Sequence, residues 1–428
     1  MTAAGRTGNF GRERPGPAEA GSQAGRRRRQ GPRPLPVHLL SAGSTWHSSM
    51  LALPFLKSGS LPWKPDLSPR AAALASDLGD TPLPDFAAAV EAELLGRADQ
   101  LVDGIERYRS HPYQRRLLDP PVIWQDGTTA LRDYRPEGGM PVLVVPSLIN
   151  RAHILDLNEE RSLLRHLASQ GLRPLLVDWD KPGEAERQFD LTGYIAGRLE
   201  QVLDVAIDLA GGPMPVLGYC MGGLLALGLA LRRQRDVSRL ALLATPWDFQ
   251  SGNPAFARFI GALGEPVEHS FGVLGQVPTD VLQTLFFLAD PNLATRKFIR
   301  FAGLDPDSPE AENFVATEDW LNDGVPLALP VAAECFGGWY GTNSALLGRW
   351  KIAGLPVDPT RFAKPALVVV PAKDKLVPPV SALALARRLP RAEVLQPDLG
   401  HIGIVVGGKA PEAVWAKLTD WLRAHPTE

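Results

Sequence analysis

The chain has 428 residues, of which 45% are hydrophobic, and this is enough for a large folded core and excludes a wholly disordered protein. Lys and Arg number 45 against 47 Asp and Glu, so the net charge of −2 provides no overall field that would attract nucleic acid or an anionic membrane. The presence of only two cysteines excludes a disulfide framework, and we expect a cytoplasmic protein.

Residues 1–70 are rich in Gly, Pro, Ser and Arg and have no sustained apolar period, so we predict a disordered tail. Residues 1–35 alone carry eight arginines against two glutamates, a local net charge of +6. A solvated tail is the expected role of these charges, and binding to an anionic surface or polymer is the alternative. Initiation at Met50 rather than at Met1 stays open.

A helical segment is predicted within residues 71–120. Apolar residues recur there at the spacing of one helix face, namely Phe86, Val90, Leu94, Leu101 and Ile105. The runs 122–125 and 130–134 flank an Asp-Gly pair, and this pattern predicts a β-hairpin.

Short apolar runs then alternate with amphipathic helical segments. The predicted strands are residues 142–145, 174–178, 216–217, 240–244, 366–370 and 392–395. Uninterrupted apolar strands that alternate with helices are typical of a parallel sheet covered on both faces. We therefore predict an α/β core formed by residues 121–247 and 351–428.

This alternation stops between residues 248 and 350, where Phe, Trp and Leu are frequent and helices and loops are expected. A long helical insertion in an α/β sheet predicts a lid over the core. The lid is aromatic, with Trp320, Trp339, Tyr340 and Trp350. These residues either pack the lid or line a tunnel for an acyl chain. Cys335, also in the lid, is predicted to be core packing rather than a reactive group.

The long stretch 209–231 has no charged residue, but it contains six glycines and two prolines. We therefore predict a strand, a tight turn and a helix there, and no transmembrane segment in the chain. The turn Gly218-Tyr219-Cys220-Met221-Gly222 has the nucleophile-elbow pattern G-x-S-x-G with Cys in place of Ser. Glycines are needed because side chains at these positions would collide in the strained turn.

The elbow places the thiol of Cys220 at a helix N-terminus, whose dipole favours the thiolate. We predict that Cys220 is a nucleophile, and a buried cysteine beside a packing turn is the alternative. Thiol–thioester exchange forms another thioester and is nearly isoenergetic, whereas a serine ester is more stable and suits hydrolysis. A cysteine therefore favours acyl transfer from a thioester such as an acyl-CoA, although some hydrolases also use one.

In such folds the acid and the histidine follow the nucleophile in the chain. Asp374 and His401 each follow a late strand, at the carboxyl edge of the sheet where these folds gather their sites. We predict that they are the catalytic acid and base, and a surface aspartate and a structural loop histidine are the alternatives. The expected oxyanion donors are the backbone amide of Met221 and that of Leu148 or Ile149.

No metal and no bound cofactor are expected. The acidic and histidine residues near the first strands match no metal-ligand spacing; they are His153, Asp156, Asp178 and Asp180. A Gly-rich phosphate loop and a Cys/His zinc set are also absent from the sequence.

The chain from Val122 to Trp421 resembles the polyhydroxyalkanoate synthases, most closely the class III and IV catalytic subunits. The resemblance rests on ordered motifs, namely residues 146–150, 154–157, 218–223, 245–249, 318–320 and 400–403. It implies an α/β-hydrolase fold, in which Cys220 is the acylated nucleophile, His401 the base and Asp374 the acid.

The resemblance also implies 3-hydroxyacyl-CoA as substrate and polyester and free coenzyme A as products. It implies a cytoplasmic enzyme at the surface of polyester granules, acting with a noncatalytic second subunit; whether it forms a homo-oligomer stays open. Lys375, Ser147 and His153 stand where many members have His, Pro and Tyr, respectively.

Two other functions stay open. One is a Cys-dependent thioesterase or esterase, which would transfer the acyl group to water. The other is a noncatalytic interaction protein of the granule, although the intact order of Cys220, Asp374 and His401 argues against it.

Overall fold

The structure is a computed structural model that describes residues 29–424. Its strands are β1 (Val122–Asp126), β2 (Thr129–Asp133), β3 (Met140–Val145), β4 (Leu172–Asp178), β5 (Met214–Tyr219), β6 (Val237–Leu243), β7 (Gln276–Val277), β8 (Leu327–Ala328), β9 (Lys351–Ile352), β10 (Leu355–Pro356), β11 (Ala366–Val369) and β12 (Ala392–Leu395). Its α-helices are α1 (Leu35–Lys57), α2 (Ser68–Leu78), α3 (Leu83–Ser110), α4 (Leu163–Ser169), α5 (Glu200–Ala210), α6 (Met221–Arg232), α7 (Pro254–Ala262), α8 (Gly264–Phe271), α9 (Thr279–Ala289), α10 (Leu293–Ala302), α11 (Pro309–Asn322), α12 (Leu329–Ala333), α13 (Pro379–Ala386), α14 (Gly403–Val406) and α15 (Ala416–Arg423). Three π-helical turns join them, at Gly193–Leu199, Glu334–Gly341 and Pro411–Trp415.

In the described part of the chain, eight strands form one sheet in the order β1-β2-β4-β3-β5-β6-β11-β12. The hairpin β1–β2 lies at one edge and β2 pairs antiparallel with β4, whereas the other neighbours are parallel. Alternate residues of β3 belong to two different apolar clusters, with Leu143 and Val145 in one and Val142 and Val144 in the other. The predicted parallel sheet with apolar packing on both faces is therefore confirmed.

Residues 248–350, which we call the lid, run from the loop after β6 to the residue before β9. They form α7–α12, the short ladder β7–β8 and the second π-helical turn. The backbone amide of Val325 donates to the carbonyl of Ile149 at 3.2 Å, so the lid reaches the loop that follows β3. On that side the indole nitrogen of Trp320 donates to the carbonyl of Arg151 at 2.8 Å. The other lid indoles pack together, with ring centroids of Trp339 and Trp350 5.3 Å apart.

The N-terminal segment differs from the prediction of a disordered tail over residues 1–70. Residues 35–57 form α1, and α2 begins at Ser68. The physical reason is a tertiary contact, because α1 and α3 share an apolar cluster with the lid helices α10 and α11. That cluster comprises Ala42, Leu101, Ile105, Tyr108, Phe298, Phe301, Ala311 and Val315. Residues 1–28 of the predicted tail lie outside the described residues.

A close crossing fixes α3 on the lid. A Cβ atom at Gly104 would lie 2.1 Å from the backbone oxygen of Phe298, so only glycine fits where α3 meets α10. Nearby, the guanidinium of Arg29 donates to both carboxylate oxygens of Asp319 at 2.7 Å. Across residues 29–424, no helix combines the length and apolarity that crossing a membrane requires.

Candidate active site

Cys220 lies in the turn between β5 and α6, because the strand ends at Tyr219 and the helix begins at Met221. Its φ of +56° and ψ of −126° put a side-chain-bearing residue in a sparsely populated region of backbone space. The amide of Cys220 donates to the carbonyl of Leu243 at 2.8 Å, so the end of β6 holds the turn in place. Strain of this kind persists only where the surroundings enforce it, and it concentrates at functional sites.

Three glycines make the turn sterically feasible, and the sequence predicts this for two of them, Gly218 and Gly222. A Cβ atom at Gly218 would lie 2.5 Å from the Cα atom of Gly223. At Gly222 it would lie 2.2 Å from the backbone oxygen of Val145, and at Gly223 only 1.9 Å from the hydroxyl of Thr245. These distances are far below van der Waals contact, so the elbow presses directly on the ends of β3 and β6.

The structure brings Asp374 and His401 together, with 2.7 Å between Asp374 Oδ2 and His401 Nδ1. The other carboxylate oxygen accepts from the amides of Leu376 and Val377 at 2.9 and 2.8 Å. The side chain of Asp374 is fully buried at 0% exposure. Hydrogen bonds to both oxygens therefore fix its orientation toward the imidazole.

His401 links this carboxylate to Cys220, since its imidazole, with a side chain that is 10% exposed, also interacts with the Cys220 side chain. Burial on its own lowers the pKa of His401, but the negative charges of Cys220 and Asp374 outweigh it and raise the pKa to about 10. These interactions thus favour the protonated form of His401. A proton can pass from Cys220 to His401 while Asp374 stabilises the positive charge that results.

The loop after β3 carries Leu148 and Ile149, the two alternatives predicted for the second oxyanion donor. Met221 is the first residue of α6, and the first amides of a helix have no acceptor within it. The amide of Ile149 donates to the hydroxyl of Ser147 at 3.2 Å and is therefore engaged. Of the two predicted alternatives, this geometry favours the amide of Leu148, whose side chain is buried in the same cluster as Met221.

Sequence reasoning missed Tyr219 as part of the site. Its hydroxyl donates to the carbonyl of His401 at 3.2 Å, and the two rings lie 5.4 Å apart. This contact anchors the histidine loop to the residue before Cys220. No sequence signal marks it, because the elbow pattern leaves that position unspecified.

In the lid, Tyr340 interacts electrostatically with Cys220. Burial raises the pKa of the Tyr340 phenol, and so does its electrostatic interaction with the side chains of Cys220 and Cys335. Cys335 itself is buried in the apolar cluster, as predicted. Burial and the charge of Glu334 raise the pKa of the Cys335 thiol well above its usual value, so this second cysteine stays protonated.

The acidic residues near the first strands form ion pairs with arginines. Asp156 is buried and pairs with Arg115 and Arg165, while Asp178 pairs with Arg132 and Asp180 with Arg151. Burial lowers the pKa of His153 to about 4, with a further contribution from the positive charge of Arg115. Within residues 29–424, no group of three or more His, Cys, Asp or Glu side chains is placed to hold a metal ion.

Comparison with known families agrees with this architecture. The family model described as alpha/beta hydrolase fold matches residues 140–407, a range that contains the elbow, the acid and the histidine. The chain is therefore a member of the α/β-hydrolase fold family, as predicted.

Matches to named relatives identify a narrower family within this fold class. The chain is 30% identical over 346 residues to the poly(3-hydroxyalkanoate) polymerase subunit PhaC of Synechocystis sp., covering 77% of this chain and 92% of that protein. It is 28% identical to the PhaC subunit of Allochromatium vinosum, covering 70% and 87%, respectively. The match to PhaC of Haloferax mediterranei, at 29% identity, covers 70% of this chain but 63% of that relative. The chain belongs to the poly(3-hydroxyalkanoate) polymerase family, as its motifs predict.

Proposed function

We propose that the protein is a polyhydroxyalkanoate synthase-type acyltransferase, which polymerises 3-hydroxyacyl groups from coenzyme A thioesters through a covalent acyl-Cys220 intermediate. The observation that carries the proposal is the line of interacting side chains from Cys220, at a strained elbow, through His401 to Asp374. Membership of the polymerase family supports the choice of substrate.

In the acylation step, His401 accepts the proton of Cys220 and the thiolate attacks the thioester carbonyl. The amides of Met221 and Leu148 donate to the oxyanion of the tetrahedral intermediate. The intermediate expels coenzyme A as a thiolate, which takes the proton back from His401. One C–S bond forms and one breaks, so the thioester is conserved on the enzyme.

In the elongation step, a 3-hydroxyl group attacks a thioester carbonyl and His401 accepts the hydroxyl proton. A C–O ester bond forms and a C–S bond breaks, and the proton passes to the released thiolate. Asp374 stabilises the imidazolium in both steps, because its carboxylate lies 2.7 Å from His401 Nδ1.

Transfer to water is the competing outcome, and a thioesterase would use the same three residues. Two lid contacts favour transfer to a hydroxyacyl group instead. Tyr340 is partly buried and interacts electrostatically with Cys220, and Val325 is hydrogen-bonded to the loop that carries the proposed oxyanion donor. Cys220 is itself only partly exposed, and a lid that restricts access to it limits the access of water to the acyl-enzyme.

The test is to mix the purified protein with 3-hydroxybutyryl-CoA, measure coenzyme A release and identify the acyl product. We expect release with polyester for the wild type and for Cys335→Ala, which removes the other cysteine, and no release for Cys220→Ala. Free 3-hydroxybutyrate as the sole product would identify a thioesterase instead. No release, with or without a noncatalytic synthase subunit, would favour an interaction protein.

We further propose that the protein works in the cytoplasm at the surface of polyester granules, and that a noncatalytic subunit assists it. Apolar product accumulates where the enzyme releases it, and this ties the enzyme to the polymer. Fractionation of polymer-producing cells tests the location. The protein is expected with the granules, and recovery in the supernatant of a polymer-containing lysate would contradict the proposal.

A further inference from the structure

Lys375 immediately follows the proposed catalytic acid and forms an ion pair with the lid. Its Nζ atom lies 3.0 Å from Oδ2 of Asp290, which directly follows α9. The same oxygen accepts from Arg296, on α10, at 2.8 Å. The carboxylate of Asp290 is 16% exposed, whereas the Lys375 side chain is 71% exposed.

The loop that carries Lys375 also holds the acid. The amides of the next two residues, Leu376 and Val377, donate to Asp374 Oδ1 at 2.9 and 2.8 Å. A displacement of Lys375 with the lid would therefore act on the same short segment that orients Asp374. The Lys375–Asp290 pair connects the lid to the acid loop.

The lid has a second charged attachment at the other side of the site. Arg151, just after the loop with the oxyanion donor, lies 2.7 Å from Asp323 at the end of α11. That pair is less exposed, at 24% and 31%. The Lys375 pair is the more accessible of these two, so salt screens it more easily.

We propose that Lys375 is a positioning residue, whose ion pair with Asp290 holds the lid closed over Cys220. The inference rests on the proposed function in taking Cys220 as the nucleophile to which the lid controls access. An exposed pair of this kind changes an equilibrium by about two- to fivefold, enough to tune opening without locking the site. When the lid opens, the ion pair breaks and water hydrates both charges instead.

The experiment measures how fast N-ethylmaleimide, an uncharged reagent, alkylates Cys220, with the labelled cysteine located by peptide mass spectrometry. This readout needs no turnover, so it is independent of the substrate assay for the proposed function. Lys375→Met removes the charge and Lys375→Arg keeps it. Lys373→Met is the matched control, because Lys373 lies on the other side of Asp374 and pairs at 2.7 Å with Asp398, outside the lid.

At low ionic strength we expect Lys375→Met to be alkylated about two- to fivefold faster than wild type, with Lys375→Arg and Lys373→Met close to wild type. Added NaCl should accelerate the wild type toward the Lys375→Met rate and leave that variant nearly unchanged. In an Asp290→Asn background, Lys375→Met should add nothing, because the pair is already broken. Thermal unfolding is measured in parallel to confirm that each variant is folded.

Equal rates and equal salt dependence for Lys375→Met and Lys373→Met would overturn the proposal. Additive effects of Asp290→Asn and Lys375→Met would overturn it as well, because additivity means that the two residues act separately. If the wild type does not turn over the substrate, that result counts against the proposed function and leaves the alkylation result intact.

Discussion

Replacing Asp374 by Asn changes the candidate site while keeping the shape of the side chain. The amide oxygen can still accept from the backbone amides of Leu376 and Val377, which now bond Oδ1 at 2.9 and 2.8 Å. The amide nitrogen then faces His401 Nδ1, 2.7 Å away in the wild type. Because the amide nitrogen is a donor, Nδ1 must accept, and the neutral imidazole carries its proton on Nε2. That tautomer cannot take the proton of Cys220.

The size of the effect follows from the pKa of His401. Its rise from 6.5 to about 10 corresponds to roughly 5 kcal/mol at about 1.36 kcal/mol per unit, shared between Cys220 and Asp374. Assigning about half of this energy to Asp374 gives a loss of about 10²-fold, and the wrong tautomer costs about 10⁴-fold in a Ser-His-Asp triad. We therefore expect Asp374→Asn to slow coenzyme A release by about 10²- to 10⁴-fold.

The assay is single-turnover release of coenzyme A from 3-hydroxybutyryl-CoA, with excess enzyme. Asp398→Asn is the control, since Asp398 is exposed and pairs with Lys373 rather than with His401. Alkylation of Cys220 by iodoacetamide across pH gives a second readout, and the rise in rate should move to higher pH in Asp374→Asn. Release within tenfold of wild type, with an unchanged alkylation profile, would refute the proposed role of Asp374.

The remaining predictions concern packing and burial. Gly222→Ala should abolish coenzyme A release and lower the melting temperature, because its Cβ atom would lie 2.2 Å from a backbone oxygen of β3. Gly104→Ala should cost about 1–3 kcal/mol in urea unfolding, whereas Gly96→Ala, in the same helix with open space around it, should stabilise by about 0.5–1 kcal/mol. Burial raises the pKa of Glu334 from 4.5 to about 7, so its contribution to stability is present below pH 4.5 and is lost as the pH rises through 7. Glu334→Gln should remove this pH dependence and raise the free energy of unfolding at pH 8 by up to about 3 kcal/mol; an unchanged slope between pH 5 and 8 would contradict this.

The sheet could be predicted from sequence because most of its parallel strands are short, mainly apolar runs. The run 392–395 coincides with β12, and the run 216–217 is the centre of β5. The run 366–370 extends one residue beyond β11. Buried parallel strands have this composition regardless of their neighbours, so local sequence is sufficient.

Helix α1 could not be predicted in the same way. Its sequence contains Gly43, Pro54 and several Ser and Thr residues, which are poor helix formers, and it has no charged residue before Lys57. Its order depends on contacts with α3 and with α10, which lies far along the chain. Long-range packing of this kind overrides local propensity and leaves no periodic signal.

The candidate site likewise has features that could be predicted from sequence and features that could not. The chain order of nucleophile, acid and histidine, and the end of a strand before each, are visible in sequence. The hydrogen bond from Tyr219 to the His401 carbonyl and the pair between Lys375 and Asp290 join residues 182 and 85 positions apart. Their partners are set by how the loops pack, and no local pattern specifies them.

The docking of α1 and α3 on α10 and α11 has a practical consequence for handling the protein. Anything fused ahead of residue 29 is attached to the lid side of the molecule, where Arg29 contacts Asp319. Helix α15, by contrast, packs against the sheet through Leu418 and Leu422. A fluorescent reporter at the C-terminus would therefore lie away from the lid, whereas one at the N-terminus would add its mass and drag to the part that moves in the proposed opening.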